Sequence, residues 1–301
     1  MDGRDPSPTS YHWGEKMIGL YQDLAARAAT GKPVRIGMIG AGQMGTDVVA
    51  QCHMMKGIEV AAIADIDIER ARNAYKIGLV DGEVVEASTA AQADAAVAAG
   101  KRVVSNDYHV ITGMATIDVM LEATGVPEIG TRAALRAARR GQHLAMMNVE
   151  TDITVGPILH WYAQRKNVLY SLAAGDEPAA CKELYDFAHA LGLTIVAAGK
   201  GKNNPLDRHA APTDAAWANE AARRGLSPNM LIEFVDGSKT MVEMAAVSNA
   251  TGLVSDVRGM HGPLTSRDEL NKTFALKKDG GVLDKVGVVD LASVRLRQAF
   301  S

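Results

Sequence analysis

A chain of 301 residues, 47% hydrophobic and 22% charged, has the composition of an ordinary globular protein and is long enough for two domains. Its net charge of −3 supplies no basic field, which argues against nucleic acid and anionic membrane as partners and leaves any anionic substrate to a local cluster. No apolar run reaches the ~20 residues of a bilayer span and the N-terminus lacks a signal-peptide core, while two isolated cysteines, Cys52 and Cys181, form no disulfide framework and point to a reducing cytoplasm.

Residues 1–15 are polar and rich in Pro, Ser and Asp, the composition of a disordered tail. Met17, Leu20, Tyr21, Leu24 and Ala28 then recur at helical spacing, predicting a helix over 16–30 that lies against the first domain. Gly31-Lys32-Pro33 stops it. Residues 34–45 read VRIGMIGAGQMG, a predicted strand running into G-x-G-x-x-G at the start of a helix. Each glycine has its own reason: Gly40 for a tight turn, Gly42 for close approach of a pyrophosphate, Gly45 for close helix–strand packing. The amides of the helix opening at Gln43 and Met44 would then face phosphate.

The next predicted strand, 58–64, ends in Asp65, twenty residues after Gly45. An acidic side chain there accepts hydrogen bonds from the adenosine ribose and repels a 2′-phosphate, which favours NAD over NADP. The alternative is that Asp65 caps the following helix, a task Asp67 can also perform. Arg70, a turn into that helix, does not by itself argue for NADP. Helix (88–99), strand (102–105), strand (117–121), helix (127–140) and strand (143–148) follow, the alternation of βαβ units in a parallel sheet with right-handed crossovers. Ligands then sit beyond the carboxyl ends of the strands, where Thr124, Gly125, Asn148 and Glu150 fall; loop capping is the other reading of Asn148 and Glu150. The expected architecture is α/β, a Rossmann-type doubly wound parallel sheet (16–150) followed by an α+β catalytic domain (151–290).

Beyond Glu150 three polar, Gly-containing segments stand out. Ala174-Gly175-Asp176-Glu177-Pro178 follows an apolar run (168–172) and precedes a helix (179–190). Gly199-Lys200-Gly201-Lys202-Asn203-Asn204-Pro205 follows a strand predicted over 194–198. The third begins after the run 231–235, with Asp236-Gly237-Ser238-Lys239-Thr240, Glu243 and Asn249, and ends in Gly259-Met260-His261-Gly262-Pro263. Converging on one cleft, they would supply Asp176 and Glu177 as acid, base or divalent-metal ligands. Lys200 and Lys202 would polarise a carbonyl or hold an anion, with Asn203 and Asn204 adding directional bonds. Hydride exchange between carbinol and carbonyl needs a proton donor beside the oxygen, and a lysine of lowered pKa suits it. Solvated loop lysines are the alternative. His261 reads as a proton shuttle or a structural histidine, and Cys181 as a small apolar filler sooner than a nucleophile. No zinc-site spacing is present, and metal dependence stays open.

Together the segments IGMIGAGQMGTD, EATGVPEIG, MMNVETDITVGP, SLAAGDEPAACKEL, AGKGKNNPL, EFVDGSKTMVEMAAVSNATGL, GMHGP and GGVLDKVGVVD, spread over 36–290, resemble the homoserine-dehydrogenase-like oxidoreductases, most closely the deoxyxylulose-phosphate reductoisomerase-like (DRL) group. The resemblance implies that Gly40, Gly42 and Gly45 bind the dinucleotide and that Asp176, Lys200–Asn204 and the Glu243–His261 stretch form the catalytic domain. It implies an NADPH-dependent oxidoisomerase on a small polyhydroxylated phosphate or carboxylate, with plain homoserine-type dehydrogenation as the alternative; a homodimer is expected only as the default for soluble oligomers. Two departures stand. Ala64-Asp65-Ile66-Asp67 suits NAD, hence a catabolic relative. The family also continues into a C-terminal SAF-type domain, whereas residues 291–301 read as an atypical tail, so a truncated, non-catalytic nucleotide-binding protein is a further expectation.

Overall fold

The computed structural model describes residues 20–204 and 206–294, so the expected N-terminal tail, the start of the first helix, Pro205 and the stretch 295–301 lie outside the described residues. The chain divides into two compact units, residues 1–123 and 124–301.

Unit 1 opens with α1 (Leu20–Ala29), whose buried Leu24 packs against Gly57 so closely that a Cβ at Gly57 would lie 2.0 Å from the Leu24 carbonyl oxygen. Then come β1 (Val34–Ile39), α2 (Gln43–Met54), β2 (Ile58–Ala64), α3 (Ile68–Ile77), β3 (Val84–Glu86), α4 (Ala90–Ala98), β4 (Arg102–Ser105), α5 (Tyr108–Ile111) and β5 (Val119–Glu122). The strands are parallel and ordered β3-β4-β2-β1-β5. Buried parallel strands read as continuous apolar runs, and Val60 to Ala64 are all buried. The order β4-β2-β1-β5 matches the 3-2-1-4 portion of the dinucleotide-binding sheet. Asp67 caps α3, accepting from the Glu69 and Arg70 amides, which frees Asp65 for other work.

Unit 2 carries α6 (Pro127–Arg139), β6 (His143–Met146), α7 (Val149–Arg165) and β7 (Tyr170–Leu172), with β6 and β7 paired in parallel. It continues with α8 (Glu177–Ala190), β8 (Ala197–Lys202), α9 (Ala215–Arg224), α10 (Pro228–Val235), α11 (Ser238–Thr251), β9 (Val254–Ser255), β10 (Leu264–Thr265), α12 (Leu270–Thr273) and β11 (Val288–Val294). A second sheet runs β10-β11-β8 with β9 also on β11, all parallel. The chain is thus α/β, a Rossmann-type parallel sheet with a second, smaller sheet.

Two expectations are corrected here. Residues 199–202 are strand, because β8 begins three residues later than the apolar run and ends at Lys202. Their glycines have a steric cause: a Cβ at Gly199 would fall 2.1 Å from the Asp290 carbonyl oxygen on β11. The run 231–235, which the sequence alone leaves without an assigned element, is the end of α10. Glu243 and Asn249 lie on α11 instead of a loop. Residues 291–294, the described part of the expected atypical tail, belong to β11, where Leu291 pairs with Lys200. One face of this sheet buries Val289 and Leu291 against Met244 and Val247 of α11, with Cys181 and Tyr185 of α8 packed alongside. Among the described residues no helix is long and apolar enough to cross a membrane.

Candidate functional site

In unit 1 the glycine loop has the shape a dinucleotide needs. Gly40 sits at φ +94°, a conformation that favours glycine. A Cβ on Gly45 would fall 2.3 Å from the Gly40 carbonyl oxygen, so only glycine lets α2 start this close to β1. A Cβ on Gly42 would meet nothing within 4 Å, leaving open space beside the helix N-terminus. Gln43 and Met44 form the exposed first turn of α2, whose N-cap, Gly42, offers no side chain. Its first amides therefore have no intrahelical acceptor and suit phosphate oxygens. Asp65 follows β2, and its Oδ2 accepts from the Ala41 amide at 2.7 Å while Oδ1 accepts from the Asp67 amide at 2.9 Å. The carboxylate thus fixes the glycine loop to the end of β2. These residues fit a bound NAD(P).

The other expected cofactor residues are in unit 2. The Thr124 hydroxyl accepts from the Val126 amide at 3.1 Å, and Gly125 has φ +67°. Asn148 is 1% exposed and caps α7, its Oδ1 accepting from the Thr151 amide at 3.1 Å. Its Nδ2 is buried without a partner, a donor that costs free energy until an acceptor arrives.

The chemistry-bearing groups of unit 2 gather where α8 and α11 cover β8. Lys200 Nζ lies 2.6 Å from Glu177 Oε1 on the first turn of α8 and 2.5 Å from Glu243 Oε2 on α11. The Glu243 side chain is 2% exposed and that of Glu177 50%. Burial disfavours the charged lysine, but its bonds to Glu177 and Glu243 outweigh that and push its pKa up. For Lys200 the lowered pKa expected of a proton-donating lysine is not found: this ammonium is held charged. Burial raises the Glu243 carboxyl against the opposing pull of Lys200. Asp176, next in chain to Glu177, is pushed up to about 6, by burial first and then by the Glu177 carboxylate. Glu177 goes the other way, because Lys200 outweighs its burial.

Sequence reasoning overlooked the role of Lys239. Its Nζ lies 2.9 Å from Glu150 Oε1, and Glu150, followed by the nearby Glu243 and Asp176, overcomes burial to keep it charged. Lysine at the second position of one helix and glutamate at the second position of another was the available signal.

Lys202 and Asn203 are not gathered with this group. Lys202 is buried, and its Nζ bonds to the Asn204 carbonyl at 2.9 Å and the Val235 carbonyl at 3.4 Å, at the C-terminal end of α10. Burial, assisted by Arg208 and opposed by Asp236, lowers its pKa. Asn203 is exposed, and Asn204 Oδ1 accepts from Arg224 at 3.2 Å. His261 pairs with Asp290, Nδ1 to Oδ2 at 2.7 Å, while Asp290 Oδ1 also accepts the His261, Gly262 and Leu291 amides. Arg208 holds the carbonyls of Gly259 and Met260 in the same loop, so His261 belongs to a fastened turn. A cavity of about 600 Å³ lies against β8 and β11 under Leu270, Phe274 and Leu276. Gly199, Lys200 and Gly201 are among its lining residues. Among the described residues no group of three or more His, Cys, Asp or Glu is placed to hold a metal ion.

Raised above its ordinary value, Asp176 favours the folded state when protonated. That contribution is complete below the ordinary carboxylate range and is lost as pH rises through about 6. Asp176→Asn is therefore expected to gain stability relative to wild type on going from about pH 5 to about pH 8, read from urea midpoints.

No curated protein matches the chain. Among solved structures it is similar to a dehydrogenase from Chromobacterium violaceum (17% identity, TM-score 0.38, 57% of this chain and 46% of that one). It is also similar to myo-inositol dehydrogenase from Lactobacillus casei in complex with NAD(H) and myo-inositol (16%, 0.41, 62% and 49%). A third is the WlbA dehydrogenase from Bordetella pertussis in complex with NADH and UDP-GlcNAcA (14%, 0.39, 59% and 48%). The chain spans about half the length of these proteins. Residues 175–299, the stretch holding Asp176, Glu177, Lys200, Lys239 and Glu243, match the family model of the catalytic domain of oxidoreductase DRL.

Proposed function

We propose that the protein is an NAD(P)-dependent oxidoreductase acting on a CH–OH group of a small polyhydroxylated substrate. The observation that carries this reading is the Lys200 ammonium held between Glu177 and Glu243 beside an Asp176 carboxyl of pKa about 6, in a chain that also bears a dinucleotide-shaped glycine loop. The match to the DRL catalytic domain supports it. In this reading residues 16–150 serve the cofactor and 151–290 the substrate, in a cytoplasmic homodimer, the common soluble oligomer.

The backbone of Gly40, Gly42 and Gly45, with the first-turn amides at Gln43 and Met44, holds the diphosphate, and Asp65 the ribose; Thr124, Gly125 and Asn148 of unit 2 stay candidate cofactor residues by their sequence positions alone. When bound, the nicotinamide gives or takes the hydride. Lysine carries three N–H donors, and Glu177 and Glu243 occupy two. The third donates to the substrate oxygen, polarising a carbonyl. As negative charge grows there, Lys200 releases its proton to that oxygen, and the Asp176–Glu177 carboxyl pair restores it. In the oxidative direction the same protons travel outward. A pKa near 6 lets Asp176 serve both directions near neutral pH.

NADH fluorescence titration followed by turnover on a panel of polyols, sugar acids, homoserine and deoxyxylulose phosphate tests the proposal; absence of binding by either nicotinamide cofactor ends it. Carbon rearrangement ahead of hydride exchange, the activity the resemblance implies, is decided by NMR of the product. NAD is the expected preference, because Asp65 repels a 2′-phosphate. Asp65→Ser is expected to lower the NAD-over-NADP ratio of kcat/KM by about tenfold or more, a change of ~1.4 kcal/mol. An unchanged ratio would remove Asp65 from the ribose.

A further inference from the structure

Resting on that reading, we infer that the end of the substrate reaching Lys200 is uncharged, a vicinal diol or hydroxycarbonyl, and that neither phosphate nor carboxylate is seated at this cluster.

The charge count carries the first part. Two ammoniums, Lys200 and Lys239, are already engaged by the carboxylates of Glu177, Glu243 and Glu150. Asp176 lies in the same field, acting on Lys239, and Glu233 lies close enough to Glu150 for the two carboxyls to repel. Carboxylates outnumber ammoniums before any ligand arrives. A phosphate would have to displace a glutamate from a lysine and then share a poorly solvated space with it, which like charges oppose.

Hydrogen-bond chemistry carries the second part. Asp176 Oδ2 is buried and has no hydrogen-bond partner. Below about pH 6 Asp176 itself carries a proton and can give it to Glu177; above that pH both are ionised and neither brings a proton to this oxygen. The oxygen therefore needs a donor. A hydroxyl supplies one, whereas a phosphate dianion or carboxylate only accepts. Lys200 keeps one N–H for an oxygen, and Glu177, half exposed, is a second acceptor. One donor beside two acceptors matches a carbonyl or carbinol oxygen flanked by a hydroxyl. A substrate carrying phosphate would hold it elsewhere.

The test is calorimetric titration of the full chain with ribitol, ribonate and ribitol 5-phosphate, with and without NAD, alongside an NADH fluorescence titration. Ribitol is expected to bind at least about tenfold more tightly than either anion. Glu150→Gln, which removes one carboxylate, narrows that ratio; Lys239→Met, which removes an ammonium, widens it, and this second variant serves if the first does not fold. Ribonate or the phosphate binding as tightly as ribitol overturns the inference, and so does failure of all three to bind. Loss of NADH binding alone would sink the oxidoreductase reading while leaving the polyol comparison standing.

Discussion

Replacing Lys200 by Arg is expected to leave the protein folded and to cut kcat by about 10²-fold or more, the range that loss of a positioned proton donor produces. The guanidinium keeps a positive charge for Glu177 and Glu243 but does not give up a proton in proteins. Lys200→Met is the harsher change. It strands the Glu243 carboxylate, whose side chain is 2% exposed, and breaking such a pair from one side costs about 3–5 kcal/mol. The double variant K200M/E243Q relieves that cost without restoring activity. Urea unfolding of the three variants beside their kcat values separates the two roles. If K200R keeps wild-type kcat, Lys200 is an electrostatic staple and not a proton donor.

The second large effect is at Gly45. A valine there puts Cβ 2.3 Å from the Gly40 carbonyl oxygen, and that neighbour is backbone, which cannot swing aside. Either α2 moves off β1 or the loop at Gly40 opens. Overpacking of this kind costs ~1–3 kcal/mol, and the displaced first-turn amides lose their aim at the diphosphate. Gly45→Val is expected to weaken NADH binding by at least about tenfold and to lower Tm. Gly42→Ala separates the effects, because its Cβ would meet nothing within 4 Å of the protein. Tm should hold while binding falls, as the methyl enters the space reserved for the ligand. Equal NADH affinity in G45V and wild type would mean that the loop holds no diphosphate.

The shape of the glycine loop and the position of Asp65 at the end of β2 were legible because their logic is local. Spacing along one βαβ unit fixes which glycine must be small, and Asp67 supplies the helix cap that Asp65 would otherwise have to provide. The chemistry of unit 2 was legible only as residue types. Gly199 and Gly201 look like loop punctuation, since glycine weakens strands; the cause of their presence is β11, 91 residues downstream at Asp290↔Gly199. The run 231–235 fits strand or helix equally until its Ser227 cap, which accepts from the Met230 amide, is recognised. The pairings that make the site, Lys200 with Glu243 and Lys239 with Glu150, span 43 and 89 residues. No periodicity encodes them. Nor does composition show the direction of a pKa: Lys200 rises because two carboxylates face it, while Lys202, two residues on, falls because burial dominates.

One measurement bears on the whole mechanism. A polyol deuterated at its carbinol carbon is incubated with enzyme and NAD, and the reduced cofactor is analysed by mass spectrometry. Deuterium should appear in the NADH formed by the wild-type protein, with its yield per turnover time reduced about 10²-fold in K200R. Unlabelled NADH, or label arriving equally fast in K200R, would contradict the assignment of Lys200 to hydride-transfer chemistry.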